Sequence, residues 1–188
     1  MTAFIFILGG IFLRLLPHLP NFTPLSASAL FGGSRLKKRY AFIIPFVAMI
    51  VSDYLLLYVN PFTQPMFNFS HLQPLTALFH ATTFYVWGSF AISGLVGLWL
   101  RKNAKPSNIL LASLLVSVQF YLITNFGVWA TGMYSRGIEG LLQSYIMGLP
   151  FLRWTFLGDL TYTGVFFASY ELASRVEGRV KKVVTAFS

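Results

Sequence analysis

Three short clusters of basic residues divide this chain into long apolar stretches, and no other feature constrains its fold as strongly. Arg35, Lys37, Lys38 and Arg39 form the first, Arg101, Lys102 and Lys105 the second, and Arg175, Arg179, Lys181 and Lys182 the third. Together they hold eleven of the 14 basic residues. Each intervening stretch is long enough to cross a bilayer twice, at about 20 residues per crossing. A chain that returns to one basic side after every excursion reads as helical hairpins threaded through a membrane. The positive-inside rule makes that side the cytoplasm. Composition agrees: 56% of residues are apolar and 10% charged, where soluble domains carry about 25% charged residues.

The formal charge of +9 would otherwise suggest nucleic acid. Here the basic residues flank apolar spans and form no face, so no nucleic-acid partner is expected. The chain has no cysteine, which excludes disulfides and thiolate metal sites. Its histidines, His18, His71 and His80, are too scattered for a zinc site. No metal or cofactor is expected. Phe4–Leu16 followed by Ala27-Ser28-Ala29 resembles a signal peptide, but a basic leader is missing and a Pro-rich stretch intervenes. The segment therefore reads as a retained helix. Asn21-Phe22-Thr23 and Asn68-Phe69-Ser70 match a glycosylation acceptor pattern too short to carry weight.

The expected fold is all-α: one domain, residues 1–188, a bundle of six transmembrane helices with both termini cytoplasmic. The helices fall at about 1–16, 24–34, 40–59, 75–100, 108–130 and 150–173, with a short interfacial helix at 141–147. Pro17-His18-Leu19-Pro20-Asn21 breaks the first. The second is short, and so either tilted or only partly spanning. Helices that begin on the outer side carry Pro24, Pro74 or Pro150 near their first turn, as helix starts commonly do. Outward-pointing N-termini would also favour an anionic group.

Ionisable groups inside a span are costly and usually face the bundle interior or a cavity. Asp53 lies in the third helix and Asp159 in the sixth. Arg14 and Arg153 lie near outer helix ends, where they can also snorkel. His80 is expected in the first turns of the fourth helix, sharing a face with Thr83, Phe84 and Trp87. Tyr121, Asn125 and Trp129 share a face of the fifth helix, and Thr155, Asp159 and Thr163 a face of the sixth. Polar groups among aromatics suit a small-molecule pocket; the competing reading is interhelical hydrogen bonding. Ser28 with Gly32 and Ala29 with Gly33 make small-xxx-small pairs, suited to close packing or to docking a partner. Two intramembrane aspartates also raise an aspartyl protease, but Phe156 stands where that pattern needs glycine before Gly158-Asp159. No phosphate loop or Ser–His pairing is present, so an enzyme is not expected.

Arg14 with Pro17–Pro24 through Ala29-Leu30-Phe31-Gly32-Gly33, then Thr124-Asn125-Phe126-Gly127-Val128-Trp129, then Leu149-Pro150-Phe151 with Gly158-Asp159-Leu160, resemble a family of uncharacterised bacterial integral-membrane proteins. That family is similar in size and topology to the substrate-binding S components of energy-coupling factor transporters. The resemblance implies capture of a vitamin-like micronutrient at a multi-pass protein of the bacterial inner membrane. It also implies a transmembrane coupling subunit with two ATPases as partners. The cysteine used by the cobalamin branch of S components has no counterpart here, though the His80 imidazole could ligate a metal. The small-xxx-small motif, usual on the first helix of S components, is clearest here on the second. The expected pocket residues are Arg14, His18, Asn21, Asn125, Trp129, Arg153 and Asp159. The arginines would meet an anionic group, Asn125 would fix orientation, and Trp129 would stack on a ring. The alternative is a non-transporting membrane scaffold or cell-envelope component.

Overall fold

The computed structural model describes residues 2–16, 18–60, 62, 66–69 and 71–186. Pro17 and Ser70, part of the expected first break and of the second acceptor tripeptide, lie outside them. The chain is all-helical, with 75% of residues in helices and no strand among those described. The α-helices are α1 (Thr2–Leu15), α2 (Leu25–Arg35), α3 (Ile43–Leu56), α4 (Thr83–Leu100), α5 (Pro106–Ala130) and α6 (Ile138–Ala186).

The shortest helix, α2, is the hub. Every residue from Leu25 to Ser34 is buried, and α4 packs on it most extensively, followed by α6, α1 and α3. Its small residues explain how so many neighbours fit. A Cβ at Gly33 would run into Gly94 O and Gly97 on α4. One at Gly32 would meet the Pro45 ring of α3, and one at Gly10 of α1 would meet the Ser28 hydroxyl. The small-xxx-small face is thus packed inside the bundle, where backbones approach closely. Phe31 fills the remaining space, its ring 5.3 Å from that of Phe167 and 5.5 Å from that of Tyr170.

The buried and exposed surfaces invert the pattern of a water-soluble protein. The inner faces of α4 and α5 carry Thr83, Ser89, Ser93, Ser113 and Ser117. Their outer faces expose Ile92, Leu95, Leu111, Leu115, Val118 and Leu122. Burying hydroxyls while exposing leucines is unfavourable in water and suits a hydrocarbon solvent. The hydroxyls are mostly satisfied within helices, as in Ser93 Oγ donating to Ser89 O at 3.0 Å and Ser117 Oγ to Ser113 O at 3.1 Å. Gln119 Nε2 crosses from α5 to Ser89 O at 3.0 Å and Ser93 Oγ at 3.1 Å. Three segments, Lys38–Leu56, Thr83–Leu100 and Pro106–Ala130, are long and apolar enough to cross a membrane.

The basic clusters meet at one end of the bundle. Arg101 donates to Gly33 O at 2.6 Å and Leu36 O at 2.5 Å. It therefore occupies carbonyls that the C-terminus of α2 would leave unpaired. Arg35 sits 5.4 Å and 5.3 Å from the ring centroids of Phe167 and Tyr170 on α6. Two residues read as topology markers are thus also structural. Arg101→Met is expected to cost about 2 kcal/mol or more, because two charge-assisted hydrogen bonds are lost. A detergent-solubilised variant should melt several degrees below wild type; an unchanged melting temperature would show that α2 needs no such cap.

Several boundaries differ from the sequence reading. The sixth helix does not begin near Pro150. α6 runs unbroken for 49 residues, with Pro150 inside it and the expected interfacial segment 141–147 as its first turns. Proline removes one backbone hydrogen bond, but both arms are held on α5. Before the proline, Ser144 Oγ donates to Asn125 O at 2.7 Å; after it, Asp159 accepts from Ser117 Oγ at 2.7 Å. At 1.5 Å per residue α6 is about 70 Å long, more than twice the hydrocarbon thickness of about 30 Å. The fourth helix starts at Thr83, not at 75. Leu75–Leu78 is a separate 3-10 turn. The Thr83 hydroxyl accepts the His80 N–H at 2.9 Å and donates to Leu78 O at 3.0 Å, holding the break. His80 therefore lies before α4. The third helix is shorter than 40–59. A 3-10 turn, Lys38–Tyr40, precedes it, and beyond Leu56 the chain turns until Val59 pairs with Phe67.

Candidate functional site

Where the far half of α5 faces the first half of α6, the helices form an open-sided cavity of about 350 Å³. This end lies about 20–30 Å along α5 from its basic start, at 1.5 Å per residue. The α5 wall is Phe120, Tyr121, Thr124, Asn125 and Val128; the α6 wall includes Ser144, Gly148, Phe151 and Thr155. Asn21 and Tyr134 reach in from loops and Val86 from α4.

Hydrogen bonds fix the α5 wall. Asn125 Nδ2 donates to Tyr121 O at 2.8 Å. The Tyr121 hydroxyl donates to Tyr145 O at 2.6 Å, and the Tyr145 hydroxyl to Leu122 O at 3.0 Å. Gly148 leaves room for the Asn125 amide, because a Cβ there would lie 2.7 Å from its Cγ and its Nδ2. Asn21 adopts a left-handed backbone, φ 63°, which asparagine tolerates better than most residues. The turn is closed by Phe22 N–H donating to Leu19 O at 2.9 Å. Among the described residues no charged side chain lines the cavity. Among the described residues no group of three or more His, Cys, Asp or Glu could hold a metal.

The structure brings together only two of the seven residues singled out from the sequence, Asn21 and Asn125. Arg14 is taken by an ion pair with Asp53, and donates to Ser52 Oγ at 2.7 Å. His18 Nδ1 is 2.6 Å from Leu16 O, and its ring packs on Phe62. Trp129 turns to the α5–α6 loop, with Nε1 donating to Gly137 O at 3.1 Å and the ring against Phe126. Arg153 is exposed and lies 4.8 Å from the centroid of the Trp154 ring. Asp159 is 2% exposed; the Ser26 hydroxyl joins Ser117 as its partner. It sits one turn below the cavity floor at Thr155. Thr124, Tyr134, Ser144 and Gly148 were not anticipated. Over residues 1–182 the chain matches the model of one protein family. It belongs to DUF6580, a family of unknown function. No curated protein and no solved structure matches this DUF6580 chain.

Proposed function

We propose that this DUF6580 protein is a membrane-embedded receptor for a small, uncharged, ring-bearing molecule, bound in the α5–α6 cavity and taken from the side opposite the basic clusters. The observation that carries this reading is the cavity wall itself. Its volume falls in the range of small-molecule sites, about 300–1,000 Å³. It combines aromatic rings from Phe120, Tyr121, Tyr134 and Phe151 with the amides of Asn21 and Asn125 and the hydroxyls of Thr124, Ser144 and Thr155. That mixture orients a flat hydrogen-bonding solute and offers a formal charge no counter-ion. With the basic end taken as cytoplasmic, all six helices embedded and both termini inside, the cavity faces outward. An importer subunit that captures a vitamin-like micronutrient fits this geometry. It would depend on a coupling subunit and ATPases for energy, since the chain has no phosphate loop. The anionic group expected at Arg14 and Arg153 is replaced by a neutral one, because neither arginine reaches the cavity.

Native mass spectrometry of the detergent-purified protein should show a co-purified small molecule. A screen of neutral vitamins should then raise the melting temperature by mass action. Asn125→Ala and Tyr121→Phe should each weaken the hit about tenfold, the worth of one lost hydrogen bond of about 1–1.5 kcal/mol. Failure of the whole screen, or variants that bind as wild type does, would refute the assignment. A scaffold role is the competing reading. It is favoured by the projecting end of α6, exposed from Ser174 to Arg179, and predicts a stable protein partner in place of a ligand.

A further inference from the structure

The α5–α6 interface holds a second, larger cavity, of about 560 Å³, at the basic end. Its wall changes character along its length. The mouth is formed by Ala104, Pro106 and Arg175. Arg35 comes next, held at the level of Phe167 and Tyr170. At that level the groove is also lined by Ile109, Leu110 and Phe167, and deeper by Leu160. Two hydroxyls lie among these apolar groups, Ser113 and Thr163, 1% and 2% exposed. Ser113 Oγ, Thr163 Oγ1 and Arg35 Nε are buried and have no hydrogen-bond partner. Buried polar atoms normally find one, so three such atoms around one cavity point to a missing ligand.

The order of these groups describes that ligand. An anion belongs at Arg35 and Arg175. Glu171, bonded to Arg175 at 3.2 Å, offsets one of the two positive charges and leaves the mouth cationic. Hydrogen-bond acceptors belong at Ser113 and Thr163, about 6–10 Å below the level of Arg35 along α6. Apolar chains belong beyond the hydroxyls, from Leu160 onward. A fatty acid would satisfy the arginines and leave both hydroxyls without a partner. A phosphodiester with ester carbonyls below it and acyl chains beyond satisfies all three levels. We infer that this groove is a binding site for an anionic phospholipid, phosphate on Arg35 and Arg175, ester carbonyls on Ser113 and Thr163. Basic pockets between helices on the cytoplasmic side commonly hold such headgroups. The site rests on membrane embedding and not on the solute cavity at the other end.

Gly164 makes the site testable. It lines the groove, and a Cβ built there meets nothing within 4 Å. Gly164→Phe should therefore fill the groove without disturbing the helices, and its lipid-free melting temperature should equal or exceed that of wild type, since glycine is a poor helix former. Delipidated protein is titrated with phosphatidylglycerol, phosphatidylcholine or inorganic phosphate, and read by thermal shift and by lipid retained in native mass spectrometry. Phosphatidylglycerol should raise the wild-type melting temperature clearly above phosphatidylcholine. Gly164→Phe and the exposed Arg175→Gln should each lower apparent affinity about tenfold. Equal shifts from the two lipids would overturn the proposal, as would full phosphatidylglycerol binding by Gly164→Phe. An equal shift from inorganic phosphate would assign the arginines to a free anion and overturn the lipid site. If Gly164→Phe does not fold, Arg175→Gln decides, and unchanged binding in it rejects the site.

Discussion

Gly97→Leu should destabilise the bundle severely. At the α2–α4 crossing, a Cβ on Gly97 would meet the carbonyl of Leu30 and lie 3.0 Å from the Cα of Gly33. Both are backbone atoms of a helix packed on several sides, so neither can move without displacing its other neighbours. Overpacking a core costs about 1–3 kcal/mol when side chains can adjust, and more when they cannot. Here the whole contact between α2 and α4 must separate. The expected loss is about 3 kcal/mol or more, against a total stability of about 5–15 kcal/mol. The variant should aggregate on size exclusion in detergent, or melt without a cooperative transition. Gly88→Leu is the matched control. It lies on the same helix, and a Cβ there meets nothing within 4 Å. It should stay monodisperse with a melting temperature at or slightly above that of wild type. Equal behaviour of the two variants would show that the α2–α4 crossing is not the tight contact seen here.

The helical class, the spans apolar enough to cross a membrane and the polar face of α6 were legible because each has a periodic or compositional signature. The apolar stretches and basic clusters give the first two. The i, i+4 spacing of Thr155, Asp159 and Thr163 gives the last, and these residues do lie on the buried side of α6. The course of α6 is hidden because Pro150 reads as punctuation, whereas the helix runs through it. Ser144 and Gly148 continue the Thr155–Asp159–Thr163 stripe backwards through the proline. Followed as one face, that stripe predicts a single helix and also finds the missed cavity wall. The surroundings of the arginines are hidden from the sequence for a different reason. An arginine near a helix end has the same local sequence whether it meets a ligand, a lipid headgroup or an aspartate. Only the packing of α1 against α3, which no local pattern encodes, decides between them. Tyr134 could not be foreseen, because it reaches the cavity from a loop whose path depends on Gly132 and Gly137, both at positive φ.

That packing leads to the second large effect. Arg14 near the end of α1 and Asp53 on α3 form an ion pair, and their side chains are only 16% and 23% exposed. Ser52 Oγ also accepts from Arg14, and Trp87 Nε1 of α4 donates to Asp53 Oδ2 at 3.4 Å. The pair thus joins three helices in a region read as bilayer. Removing one partner leaves an uncompensated charge where water is scarce, at a cost of about 3–5 kcal/mol. Asp53→Leu and Arg14→Met should each lower the melting temperature sharply. Removing both charges together is often neutral or stabilising when apolar groups replace them. The double variant Arg14→Met/Asp53→Leu should therefore recover most of the wild-type stability, with strong non-additivity in the cycle. The same cycle separates structure from binding. If Arg14 served a ligand, its single variant would melt as wild type does and lose only ligand affinity. If the pair holds the bundle, the double variant should bind the cavity ligand normally, because neither residue lines the cavity at Asn125. Single variants as stable as wild type would show that the pair contributes nothing to folding, and would return Arg14 to the list of candidate ligand contacts.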